Sequence, residues 1–352
     1  MRIRCATVPR PAEPTFDDAW SLQIAGFREL GSAMYVELAQ QLWQNHRDGG
    51  LIAEVLHDRP RPLHDAVPLR LLGAIHRLVL AGALPRLAAH YPSVGGAPGP
   101  TLTSDFLAAV ADHRDEVAAG LLRQVQTNEV GRSALLAGGF CTVATRTGRP
   151  LRLLEIGASA GLNLRWDRFW YDTGATTAGD PNSAVRFGPM SWTVAPALGP
   201  FEVADRAGCD LSPIDIADPQ ARLTLLSFIW PDMTARFERA RAAIDIATRH
   251  PARLDHADAV GWLTSRLAEP SDGLATVVYH SIVWQYLPPA TQAAIRTLLA
   301  ERGAEASSDR PLAWLRMEPA GAVADLRLTL WPGGTEHVLA TAGYHGAGIR
   351  WH

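Results

Sequence analysis

The chain has 352 residues, room for about two domains, and with 47% hydrophobic and 20% charged residues a packed core rather than disorder is expected. Its 33 Lys and Arg nearly balance 36 Asp and Glu, for a net charge of −3. That lacks the basic excess associated with nucleic acid or acidic lipid and favours a small-molecule partner. Cys5, Cys141 and Cys209 lie far apart without metal-ligand spacing, which argues against a disulfide frame or a metal site and reads as packing in a reducing compartment. The N-terminal MRIRCATVPRPAEPTF lacks a signal-peptide core. The most apolar stretch, Leu69 to Ala89, is interrupted by Arg70, His76, Arg77 and Arg86, so a cytoplasmic protein without membrane contact is expected.

Up to about residue 140 the patterns are helical. Asp17 and Asp18 open a segment with Trp20, Ile24, Phe27 and Leu30 on one face, and a second carries Tyr35, Leu38, Leu42 and Trp43. A longer apolar helix is expected from Pro68 to about His90, stopped by the Gly- and Pro-rich loop Pro92 to Pro100. Ser104 reads as the cap of a helix from Asp105 to about Val125.

Beyond residue 140, β-type runs alternate with helical ones, as in a mostly parallel sheet covered on both faces. Strands are expected at Leu151 to Ile156, in a run ending at Asp210, and at Ala252 to Asp258, Leu274 to His280 and Pro311 to Pro319. Ala324 to Pro332 and Glu336 to Tyr344 form a terminal hairpin across Gly333-Gly334. The domain reading is a helical cap at 1–140 and a seven-stranded α/β domain at 141–352. An insertion is expected at about 172–203, where Gly179 to Pro200 has the composition of a hairpin or flap.

Leu153 to Leu164 reads as a buried strand, a tight turn of small residues and the start of a helix. Such a turn lets backbone N–H groups approach a ligand, with the helix N-terminus favouring an anion. Glu155 at the strand end can hold an ammonium group. The sequence Glu155-x-Gly157-x-Ser159-x-Gly161 resembles the first motif of S-adenosylmethionine-dependent methyltransferases, with Ser159 in place of the usual middle glycine. Gly208 to Pro213 resembles the acid-bearing end of the second strand in those enzymes, and His256 to Ala259 that of the third. The resemblance implies a Rossmann-like fold holding S-adenosylmethionine, with no metal. Glu155, Gly157, Ala158, Ser159 and Gly161 would serve the methionine end, Asp210 and Leu211 the ribose, and Ala257 and Asp258 the adenine. Gly157 and Asp210 stand 53 positions apart, against about 20 in a plain βαβ unit, so something is inserted between them.

The fourth strand ends at His280 and Ser281, where open α/β sheets carry their chemistry. His280 is the residue expected to touch the cofactor and take up a proton, the alternative being a histidine that closes a buried hydrogen bond. Trp284 and Tyr286 either wall a pocket or belong to the core. The whole chain is also similar to an uncharacterised bacterial family with a methyltransferase-like C-terminal part, through Gln126 to Arg132, Leu153 to Leu164, Trp166 to Asp172, Gly208 to Pro219, Ile229 to Pro231 and Val277 to Pro288. Within these pieces Asn128 and Arg132, at i and i+4, would share a helix face. With Glu129 and Tyr35 they read as a lid over cofactor or substrate, or else as an ion-paired hinge. Asp167, Arg168 and Tyr171 invite the same two readings.

Methyl transfer to a small acceptor is therefore the leading expectation. A non-catalytic S-adenosylmethionine sensor or assembly protein is one alternative. The other is an α/β-hydrolase, because Gly157 to Gly161 also spells GxSxG, with Ser159 as nucleophile and His337 or His345 completing a triad.

Overall fold

Apolar periodicity places the first helices. In α1 (Phe16–Glu29) the Thr15 hydroxyl accepts the Asp18 N–H while the Asp18 carboxylate accepts the Thr15 N–H, a reciprocal cap that starts the helix one turn ahead of Trp20. Its buried face is Trp20, Ile24 and Phe27, and α2 (Ala33–Arg47) buries Tyr35, Leu38 and Leu42. After α3 (Leu51–Leu56), the single helix expected from Pro68 to His90 is two, α4 (Val67–Leu80) and α5 (Pro85–Ala88). Gly82 takes a φ of +75°, and Pro85 has no N–H to continue a helix but can begin one. The helix expected from Asp105 is likewise divided, into α6 (Leu102–Asp112) and α7 (Arg114–Leu121). Ser104 does not cap it, since its hydroxyl donates to the Thr101 carbonyl.

The computed structural model describes residues 14–352, so Cys5 lies outside the described residues. It divides into two compact units. The helical unit takes the residues up to Gln126 together with Leu226–Phe237, and the second takes Thr127–Leu225 with Glu238–His352. The returning segment completes the helical core, because Trp230 meets Phe27 edge-on at 4.7 Å and Asp232 accepts the Ser32 hydroxyl (2.6 Å) and the Met34 N–H (3.0 Å) at the start of α2.

The second unit begins with α8 (Ser133–Thr147) and β1 (Leu151–Ile156). An insertion of short strands follows: β2 (Trp170–Asp172), β3 (Thr177–Gly179), β4 (Arg186–Phe187) and β5 (Trp192–Val194). The chain then runs β6 (Val203–Asp210), α9 (Pro219–Ser227), α10 (Thr234–Arg249), β7 (Arg253–His256), α11 (Ala259–Leu267) and β8 (Ala275–Ser281). It closes with α12 (Pro289–Ala304), β9 (Leu312–Ala320), β10 (Val323–Trp331), β11 (Thr335–Ala342) and β12 (Ile349–Trp351).

Among the described residues the main sheet has nine strands, not the seven expected, in the order β5-β12-β11-β10-β9-β8-β1-β6-β7. Strands β7, β6, β1, β8 and β9 are mutually parallel, and β9 to β12 form an antiparallel meander with the expected β10–β11 hairpin in it. The two additional strands are three residues each, β12 and the inserted β5 that pairs with it in parallel. Strands β2, β3 and β4 make a separate small sheet. β1 and β8 are buried along their whole length, as central parallel strands covered on both faces must be. Among the described residues no helix is long and apolar enough to cross a membrane.

Gly120 of α7 backs directly onto Ala74 of α4, so closely that a Cβ there would stand 2.4 Å from the alanine Cβ. Gly120→Leu is expected to lower stability by about 1–3 kcal/mol through overpacking, outweighing roughly 0.8 kcal/mol gained in helix propensity. A thermal melt of the full chain checks this, and an unchanged midpoint would disprove the close helix contact.

Candidate functional site

From β1 the chain builds outward through β6 to β7, then returns to the other side of β1 for β8 and β9. The strand order therefore reverses between β1 and β8, the point at which open α/β sheets leave a crevice outside their carboxyl ends. Ile156 is in register with Cys209, and Asp210 with His256. The ends of β1, β6 and β7 thus lie side by side, with Glu155, Asp210 and Asp258 at or just past them.

The turn after β1 is held in left-handed backbone at Gly157 (φ +68°), Ser159 (φ +53°) and Gly161 (φ +64°). Asp210 pins it, since Oδ2 accepts the Ser159 N–H (2.8 Å) while Oδ1 accepts that of Ser212 (2.8 Å). The Ala158 N–H goes to the Cys209 carbonyl (3.0 Å), that of Gly161 to the Ala158 carbonyl (2.6 Å), and that of Leu162 to Asn128 Oδ1 (2.7 Å). The expectation that these amides await an anion is thereby corrected, because protein acceptors already satisfy them. The expected helix is corrected too. A seven-residue 3-10 run, Leu162–Arg168, distorted at Arg165, replaces it, so there is no helix dipole behind the turn. Nor does Gly157 open toward a ligand, for a Cβ there would stand 2.5 Å from the Val283 side chain.

Glu155 is 2% exposed and accepts the Tyr279 hydroxyl at 3.0 Å. Burial pushes its carboxyl up to about 8, against the opposing pull of the tyrosine hydroxyl and of Arg165. Asp258 is the N-cap of α11 and takes the Gly261 N–H at 2.9 Å. The Ala257 N–H is used by the Asp210 carbonyl (3.1 Å), which removes it as an adenine donor. Leu211, by contrast, is 69% exposed beside Asp210. Cys141 and Cys209 are buried free thiols, each pushed up to about 12 by burial, in keeping with packing roles.

His280 is wholly buried. Its Nδ1 donates to Glu318 Oε1 (2.5 Å), its Nε2 accepts the Trp314 indole N–H (3.2 Å), and its ring stacks on Trp284 at 5.1 Å. With both nitrogens engaged, the expected proton-accepting role is replaced by a closed hydrogen-bonded core. Trp284 belongs to that core, whereas Tyr286 is exposed. Glu318 is the residue missed from the sequence: Oε1 also takes the Val283 N–H (3.1 Å), and Oε2 is buried without a partner. Its only signal was two-residue spacing from Trp314 through Arg316 along β9.

Residues 19–351 match the family described as "Uncharacterized protein conserved in bacteria (DUF2332)". The chain belongs to that family. No curated protein and no solved structure matches it.

In this DUF2332 protein the segment singled out as a lid is mostly irregular, with helical turns only at Val130–Arg132, so Asn128 and Arg132 do not share a helix face. It nevertheless ties the edge together. Arg132 donates to the carbonyls of Ser281 (2.9 Å) and Tyr344 (3.1 Å), and Glu129 accepts the Gly131 N–H (2.9 Å) and lies 3.4 Å from His345. Tyr35 is not part of it, being 1% exposed inside the helical core. Asp167 grips Arg206 through both oxygens (2.5 and 2.9 Å), and the Tyr171 hydroxyl donates to the Trp166 carbonyl (2.9 Å). Ser159 Oγ is buried without a hydrogen-bond partner, so neither His337, exposed on β11, nor His345 is its base.

An unfolded glutamate titrates near 4.5 and buried Glu155 near 8. Between those values the folded chain keeps a proton that the unfolded chain has lost, so stability falls as pH rises through that window. Glu155→Gln should melt above the natural protein at pH 8 and converge with it below about 4.5. A melting difference independent of pH would show that Glu155 ionises as an exposed carboxyl does.

Proposed function

We propose that the carboxyl edge of the sheet binds S-adenosylmethionine and that the protein methylates a small-molecule acceptor through a Rossmann-like methyltransferase domain. One observation carries the reading: three acids from neighbouring parallel strands stand beside a left-handed small-residue turn, next to the strand-order reversal. A carboxylate has about four acceptor positions and Asp210 uses two, so it retains capacity for ribose hydroxyls. Leu211 offers an exposed apolar face beside it, Asp258 an acceptor for an exocyclic amine, and Ser159 Oγ is an orphaned buried hydroxyl in the same turn.

S-adenosylmethionine, when bound, supplies an activated methyl group. The chain's own contribution is alignment and exclusion of water along the line of displacement. Glu155 meets an ammonium group only by giving up its proton, because burial keeps it neutral near pH 7. His280 has no vacant nitrogen, so no base is assigned.

Equilibrium binding of S-adenosylhomocysteine by the full chain tests this. Asp210→Ala should weaken it at least about tenfold, the lower end for a hydrogen bond to a charged group. That change also releases the Ser159 and Ser212 amides, so Leu211→Asp, at an exposed position, is the second probe and should weaken binding with an unchanged melting midpoint. Failure of the natural protein to bind at all overturns the reading.

A further inference from the structure

Within the helical unit a serine and a histidine meet that the proposed methyl transfer does not use. His76 lies in α4 and is wholly buried, and Ser93 is partly buried in the 3-10 turn Pro92–Val94. Ser93 Oγ is 2.8 Å from His76 Nε2, and His76 Nδ1 is 3.0 Å from the Ser227 carbonyl oxygen. A carbonyl can only accept, so Nδ1 carries the proton. Burial pushes the imidazole down to about 4, so the ring is neutral near pH 7 and Nε2 presents its lone pair. The Ser93 hydroxyl is therefore the donor.

The packing makes this alignment a fixed one. Gly73 lies one turn before His76, where a Cβ would stand 2.7 Å from the Phe228 ring; the missing side chain lets residues 227–228 lie against α4. Tyr91 and Phe237 stand 5.5 and 6.1 Å from the imidazole. On the serine side, Gly96 packs its backbone against the Ala88 and Ala89 carbonyls where no Cβ fits, which holds the loop close to the helices. Hydroxyl to imidazole to an orienting acceptor is the arrangement that activates a serine nucleophile, here with a main-chain carbonyl in the place of a carboxylate.

We propose that Ser93 and His76 form a second reactive site, with Ser93 the nucleophile and His76 its general base toward small carboxylic esters. Oγ bonds to the ester carbonyl carbon as its proton passes to Nε2. The carbon–alkoxy bond then breaks, and the alcohol leaves with that proton. Water attacks the acyl-serine, gives a proton to Nε2, and the carbon–Oγ bond breaks as the proton returns to Ser93. Burial disfavours the imidazolium that forms in each step, so turnover is slow and the covalent serine adduct is the better readout.

The test uses the full chain with p-nitrophenyl acetate and with an alkyl fluorophosphonate, whose fluoride Oγ displaces. Expected are an acylation burst and a phosphonyl adduct placed by fragmentation on Ser93 in the tryptic peptide Leu87–Arg114. Ser93→Ala abolishes both at an unchanged melting midpoint, and His76→Gln slows adduct formation by about a hundredfold or more. Should His76→Gln fail to fold, the natural chain and Ser93→Ala decide alone. The proposal is overturned by absence of an adduct on Ser93 in the folded natural protein, by an adduct confined to Ser159, or by an equal burst from Ser93→Ala.

Discussion

The turn that leaves β1 is the constraint on which the carboxyl edge depends. A non-glycine residue in left-handed backbone costs about 1–2 kcal/mol, and Ser159 occupies that conformation between two glycines that adopt it freely. The Asp210 carboxylate on the Ser159 amide is a charge-assisted bond worth roughly 1.5–3 kcal/mol, enough to offset the strain. The same carboxylate holds Ser212, so β6 and the turn after β1 are fastened by one side chain. Any ligand at this edge shares that acid with the fold.

Buried polar groups around the edge fall into two kinds. His280 and Asn163 have their hydrogen-bonding groups matched by the chain: Asn163 accepts the Ser133 hydroxyl at 2.7 Å and donates to the Glu129 carbonyl at 3.3 Å. Ser159 Oγ and Glu318 Oε2 are buried and unmatched. An unsatisfied buried acceptor or hydroxyl costs about 1–3 kcal/mol and stands out against a well-paired surrounding. With both His280 nitrogens paired, the unmatched polar groups at this edge are these oxygens and not the imidazole.

The long parallel strands were readable because β1 and β8 are short runs dominated by Leu, Ile, Val and Tyr between turn residues, and the acids at or just past the ends of β1, β6 and β7 marked where they stop. The strands β5 and β12 were not, since three residues carry no period and their pairing joins positions about 155 apart. The turn's shape was legible in its glycines, but its satisfaction was not, because Asn128 and Asp210 arrive from distant positions. The role of His280 hinged on Glu318 and Trp314, from the next strand, and spacing within one strand does not report its neighbour. The same limit hid the Ser93–His76 pair, whose third member comes from residue 227.

The helical unit is first in the chain yet incomplete without Leu226–Phe237. During synthesis its early helices must remain without Trp230 beside Phe27, and α2 without Asp232 at its start, until a large part of the second unit has left the ribosome. Translation therefore cannot finish the leading unit before the trailing one is under way. Severing the two genetically would leave the former with an open core.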